Sequence, residues 1–186
     1  MGAWQSYRLR LQRKRWRFRA FRKRRELSRV ANRTDQIRED DILMFCTLRN
    51  EKVRLPYFLN YYREMSVNHF LFVDNDSTDG SLDYLAEQSD ISVWHTRASY
   101  KRSHFGVDWL NWLQLKYAHG HWTLVLDPDE FLVYPFCDTR PLRALTDWLD
   151  ASSIKSLSAM LLDMYPKGRL DENPYQSGQN PLEIAN

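Results

Sequence analysis

The chain of 186 residues is poor in cysteine, in acid at its start and in long apolar runs. Its two cysteines, Cys46 and Cys137, lie 91 positions apart, too few for a disulfide scaffold. No CxxC and no Cys/His cluster offers a zinc site. Buried, reduced thiols of a cytosolic protein are the expectation. No stretch of 18 apolar residues occurs, so no membrane-spanning helix is predicted. The N-terminus lacks the apolar core of a secretory signal, which predicts a cytoplasmic protein. Neither GxxxxGK[ST] nor GxGxxG is present, against P-loop NTPases and dinucleotide-binding enzymes. No internal repeat is visible.

The length suits one domain with a real core. Apolar content of 43% and seven tryptophans mark a globular chain. Charge is unevenly spread. Residues 1–33 carry 13 Lys/Arg against one acid, Glu26, while the remainder carries 14 bases and 23 acids. Residues 1–36 therefore read as a basic arm, 37–165 as the domain and 166–186 as a loop-like tail with Pro166, Pro174 and Pro181. At 100° per residue, Trp4, Tyr7, Leu11, Phe18 and Phe21 of the arm fall within an arc of roughly 100°. That is the pattern of a helix lying on an anionic membrane surface, although Leu9 and Trp16 lie outside the stripe. A solvated basic extension, a nucleic-acid-binding arm and a transit peptide are the competing readings.

From Asp41 apolar runs alternate with helical spacings. Strands are expected at Ile42–Leu48, in "HFLFVDN", at Ile91–Thr96, in "HWTLVLD" and in "SLSAMLLDMY". Helices are expected over "EKVRLPYFLNYYREM", "STDGSLDYLAEQS" with Ser77 or Thr78 as N-cap, "VDWLNWLQLKYAHG" and "RPLRALTDWLDA". The alternation predicts an α/β fold, a mainly parallel sheet with helices on both faces. Ligands of such sheets bind beyond the carboxyl ends of the strands. Three expected strands end in polar clusters, "RNE", "DNDSTDG" and "DPDE", which a parallel sheet gathers on one rim.

"DNDSTDG" superficially resembles a calcium loop. Starting an EF-hand at Asp74 puts Asp79 at the obligatory glycine and Leu85 at the bidentate glutamate; starting at Asn75 puts Ala86 there. The EF-hand fails. Turn chemistry accounts for Ser77, Thr78 and Gly80 but not for Asp74 and Asp76 together. "LVLDPDEF" places Asp127 and Asp129 at a strand end, where two carboxylates can face one Mg²⁺ or Mn²⁺ whose shell phosphate and water complete. A haloacid-dehalogenase-type phosphatase also uses Asp-x-Asp, but in its first strand and with a different continuation.

"TLRNE", "FVDNDSTDGS" and "WTLVLDPDEFL", in this order, resemble the family 2 glycosyltransferases of GT-A (Rossmann-like) fold, in particular a bacterial branch. The likeness covers roughly Asp41 to Tyr165. It implies transfer of a sugar from a nucleotide-diphosphate sugar to a glycan or lipid-linked acceptor, assisted by Mn²⁺ or Mg²⁺. It also implies that Thr47, Arg49 and Glu51 line the nucleoside pocket, that Asp74 or Asp76 contacts base or ribose, and that Asp127 and Asp129 hold the metal. Lys101, Arg102 and His104 are candidates for phosphate or donor-sugar contact, or a solvated loop. Glu130 is either a group supporting the metal or an exposed acid.

Inverting members of that class place an Asp or Glu base well beyond the metal motif. Only 57 residues follow Asp129 here, with Asp163, Asp171 and Glu172 as candidates, none in a motif. A nucleotide-sugar-binding fragment without turnover is therefore the second reading. The third is a membrane- or nucleic-acid-binding protein acting through its arm. The expected location is the cytoplasm with peripheral contact on the inner membrane face; nucleic acid is the disfavoured partner.

Overall fold

The computed structural model describes residues 3–165 and 175–184. Helix α1 (Ala3–Lys23) comes first, followed by a short strand β1 (Ser28–Ala31). The body then alternates: β2 (Leu43–Leu48), α2 (Leu55–Glu64), β3 (His69–Asp74), α3 (Ser81–Glu87), β4 (Ile91–His95), α4 (Val107–Tyr117), β5 (Thr123–Val125) and α5 (Leu142–Ala151). A single helical turn, α6 (Pro181–Ile184), lies in the expected tail.

The sheet order is β1-β4-β3-β2-β5; β2, β3, β4 and β5 are parallel, and β1 closes one edge antiparallel to β4. β2 and β3 are buried along their whole length, which is why both read as unbroken apolar runs. Their side chains alternate between two cores. Met44, Cys46, Phe70, Phe72 and Val93 pack under α2 with Leu55, Phe58, Leu59 and Tyr62. Leu43, Phe45, Leu71, Val73 and Trp94 pack on the other face against Trp109, Leu110 and Leu113 of α4. Helices on both faces of a mainly parallel sheet are therefore present. Cys46 is buried, Cys137 is partly buried, and both are free thiols. No described helix is long and apolar enough to cross a membrane.

Three sequence expectations change. "SLSAMLLDMY" forms no strand: residues 156–165 have no regular structure, are exposed and pair with no strand among the described residues. Strand residues need a ladder partner, and apolar content does not supply one. Ser77 and Thr78 do not cap α3; Gly80, at φ +86°, occupies the N-cap position, because both hydroxyl residues bond to Asn50 instead. Part of the arm belongs to the body, since β1 joins the sheet. The backbone N–H of Arg33 donates to Ser92 Oγ, and its guanidinium donates to the carbonyls of Ile91 (2.9 Å) and Ala86 (2.8 Å). Finally, the base candidates Asp171 and Glu172 lie outside the described residues.

Because Arg33 ties β1 to β4 and to the end of α3, Arg33→Ala is expected to destabilise the fold by about 1–3 kcal/mol in chemical denaturation. Arg8→Ala, on the exposed part of α1, is expected to change it by less than about 0.5 kcal/mol.

Candidate functional site

The strand order reverses between β2 and β5. Connections from β2 run outward one way through β3 and β4, and β5 returns to the other side. At such a point the loops leaving two neighbouring parallel strands part, and a crevice opens between them. Here that crevice is a cleft of about 340 Å³ lined by Thr47, Leu48, Arg49, Glu51, Asn75, Tyr100, Asp127, Pro128 and Asp129.

The loops after β2 and β3 form one wall because they are hydrogen-bonded to each other. Asn50 N–H donates to Ser77 Oγ (2.9 Å), Lys52 N–H to Asp79 Oδ2 (2.9 Å), and Thr78 N–H to Asn50 Oδ1 (2.7 Å). Asp79 also accepts from the N–H and hydroxyl of Ser81. Partial burial works against its charge, yet these hydrogen bonds hold its carboxyl below the ordinary range. "STDGS" is thus a loop-to-loop clasp.

The opposite wall is the turn Asp127–Glu130, closed by Glu130 N–H on the Asp127 carbonyl. It is positioned from α2. The Tyr62 hydroxyl donates to the carbonyl of Glu130 and accepts from Leu132 N–H, both at 2.9 Å. Between those two residues, the Phe131 ring sits among Tyr57, Phe58, Tyr61 and Tyr62, at centroid distances of 5.1–6.4 Å. Edge-to-face packing of this kind favours one ring orientation over others. "DEFL" is therefore anchored at its phenylalanine while Asp129 lines the cleft and the Glu130 carboxylate accepts from Asp127 N–H at 3.0 Å.

Electrostatics mark the cleft as short of positive charge. Partial burial, then Glu130, Asp129 and Glu51, push the Asp127 carboxyl above its ordinary range. Burial and the same four carboxylates raise the Cys46 thiol well above its usual value. Tyr100 is raised by burial and by Asp127. Like charges held together at a strand end are eased by a cation. Among the described residues no group of three or more His, Cys, Asp or Glu side chains is gathered closely enough to hold a metal ion by itself. Asp127 and Asp129 offer hard oxygen donors of the kind that bind Mg²⁺ or Mn²⁺ when a ligand's phosphate and water supply the rest. The donor set fits such an ion.

Comparison of the chain with protein-family models, with curated proteins and with solved structures finds no match.

Of the residues singled out from sequence, Thr47, Arg49, Glu51, Asp127 and Asp129 come together in the cleft. Asp74 and Asp76 are not in its lining. Asp74 is fully buried at the end of β3, where Oδ1 accepts from Ser77 N–H and Oδ2 has no partner among the described residues. Asp76 faces His95 and Arg97, each at 3.3 Å. The buried neighbour between them, Asn75, reaches the cleft, its amide donating to the carbonyls of Thr96 and Ala98. The Thr47 hydroxyl is also buried without a partner among the described residues. Gly106, at φ +79°, packs so closely on it that an added Cβ would stand 2.8 Å from Thr47 Oγ1.

Lys101 and Arg102 are exposed and outside the lining. His104 turns to Arg19 and Asp108. The missed residues are Tyr100, one position before that basic pair, and Asn75, hidden between two acids. Asp163 lies on the exposed segment after α5, not in the cleft.

The raised Asp127 carboxyl has a sign. Its protonated form is favoured on folding, so its contribution is full below the unfolded carboxylate range and is lost as pH rises through its folded value. Asp127→Asn is expected to raise the melting temperature of the metal-free protein at neutral pH. The gain should shrink toward zero below pH of about 4, where the wild-type carboxyl is itself protonated. Because Asp127 is exposed to solvent, the shift is expected to be small.

Proposed function

We propose that this chain is a glycosyltransferase of GT-A type, transferring a sugar from a nucleoside-diphosphate sugar to a glycan or lipid-linked acceptor with a divalent ion. The observation that carries the reading is the cleft at the strand-order reversal, with Thr47, Arg49 and Glu51 on one wall and Asp127 and Asp129 on the other. Mn²⁺ or Mg²⁺ on Asp127 and Asp129 would stabilise the charge that develops on the departing diphosphate.

The chain's own side chains supply the remainder. Tyr100 offers an aromatic face to a base, and Asn75 an amide fixed by its two carbonyl partners. Among the described residues, Arg49 is the one cationic side chain in the lining and suits an anionic ligand. Tyr62 and Phe131 keep the acidic turn at a fixed height over the cleft, which limits the reorganisation on binding.

A second reading, nucleotide-sugar binding without turnover, is favoured by one observation. Among the described residues, the carboxylates in the lining are Glu51, Asp127 and Asp129, and Asp163 is elsewhere. Glu51 is already paired with Arg54, so among the described residues the lining offers the acceptor no carboxylate beyond the two proposed for the metal.

Calorimetry with uridine diphosphate tests both. Binding is expected with Mn²⁺ and is expected to weaken by about tenfold or more when Mn²⁺ is withheld or Asp129 is changed to Ala. Absence of binding by the wild type, or metal dependence unchanged in Asp129→Ala, would sink both readings. Release of free nucleoside diphosphate from sugar donors then separates the enzyme from the binding module.

A further inference from the structure

We propose that the outward face of α1 is a lipid-contact surface that seats the protein on an anionic bilayer. The helix is split in use. Its last turns dock on α4: Ala20 is fully buried, Arg19 pairs with Asp108 at 2.7 Å, and Phe21 meets the edge of Trp112 at 5.9 Å. Just beyond the helix, Glu26 accepts from the Trp109 indole at 2.9 Å, so the heel of the arm is fixed from both sides. At 100° per residue, Ala20 lies roughly opposite the centre of the line formed by Trp4, Tyr7, Leu11 and Phe18. Docking therefore turns that line away from the body. Trp4 is 73% exposed, Tyr7 60% and Phe18 61%.

Charge selects the occupant. Arg8, Arg10, Lys14, Arg15 and Arg17 are all exposed and flank the apolar line on both sides, and no acid lies within the helix. Aromatic and aliphatic side chains inserted between headgroups, with guanidinium groups on lipid phosphates beside them, satisfy both parts of this face. A nucleic-acid strand would use the arginines and stack on the rings but has no counterpart for Leu11 in the same line. The rest of the chain, with 23 acids against 14 bases after residue 33, is repelled by any polyanion, so contact is confined to the arm.

The docking also sets a direction. Contacts advance in the same sense along both helices, Arg19 meeting His104 and Asp108, then Phe21 and Arg24 meeting Trp112. Residues before Arg19 thus run on past the N-terminal end of α4, the end where Gly106 packs on Thr47 at the cleft. The lipid surface and the cleft share one end of the molecule. That this would present a lipid-linked acceptor rests on the glycosyltransferase reading; the membrane contact does not.

Co-sedimentation of the full chain with vesicles of phosphatidylcholine and phosphatidylglycerol, against phosphatidylcholine alone, tests it without any nucleotide. The wild type is expected to bind only the anionic vesicles. Combined Trp4→Ala, Tyr7→Ala and Phe18→Ala is expected to weaken that binding by roughly tenfold or more. Combined Arg8→Glu and Arg15→Glu is expected to do the same through charge. Both variants should keep the wild-type denaturation midpoint, because the altered side chains are exposed. Vesicle binding unchanged in the triple variant overturns the proposal, as does failure of the wild type to bind vesicles while it retains single-stranded RNA at the same salt.

Discussion

β2 is hydrogen-bonded in parallel on both sides, to β3 over six residues and to β5 over three, and the site hangs on that double pairing. Parallel neighbours present their carboxyl ends to the same rim, so a residue placed just after β2 must face residues placed just after β3 and β5. Full burial of β2 on both faces holds its register, since a slip by one residue would exchange the two cores. The loops leaving β2 and β3 then have no freedom to separate, because Asn50, Lys52, Ser77 and Asp79 bind one to the other.

On the far side of the cleft, rigidity comes from packing rather than from the sheet. β5 is three residues long and half exposed, too short to fix the turn that follows it. Phe131, held among the rings of α2, and the two-way hydrogen bond of Tyr62 do that work from the next layer. Burial, and after it the mutual repulsion of Asp127, Asp129, Glu130 and Glu51, raises the carboxyl of Asp127 and the thiol of Cys46. Sites that bind cations or charge-developing ligands commonly carry such strain, and its relief on binding favours the bound state.

Much of this was legible in the sequence. β2 and β3 are apolar runs, β4 is apolar around Ser92, α2 and α4 carry helical spacing, and "DPDE" marks the far wall by its position after a strand. What escaped did so for identifiable reasons. β1 is four residues of mixed polarity whose strand character comes from pairing with β4, not from its own pattern. Residues 156–165 have the composition of a strand without a partner. Asp74 and Asp76 draw the eye as acids, yet one is buried under its own loop and the other turns to His95 and Arg97, while Asn75 reaches the cleft. Spacing could not tell these apart, because the direction of each side chain depends on where the chain bends, at the positive φ of Asp76. The docking of α1 was hidden because its one fully buried residue is the small Ala20, while Phe21, read as part of the apolar stripe, meets Trp112 instead.

The cleft between β2 and β5 is proposed to take a nucleoside diphosphate with its divalent ion. Crystals grown with uridine diphosphate and Mn²⁺, with data collected at the manganese absorption edge, test it most directly. The account predicts an anomalous peak at Asp127 and Asp129, with the diphosphate beside it and the nucleoside toward Thr47, Asn75 and Tyr100. A nucleotide bound elsewhere, or a cleft with nucleotide but no manganese at those two carboxylates, would contradict it.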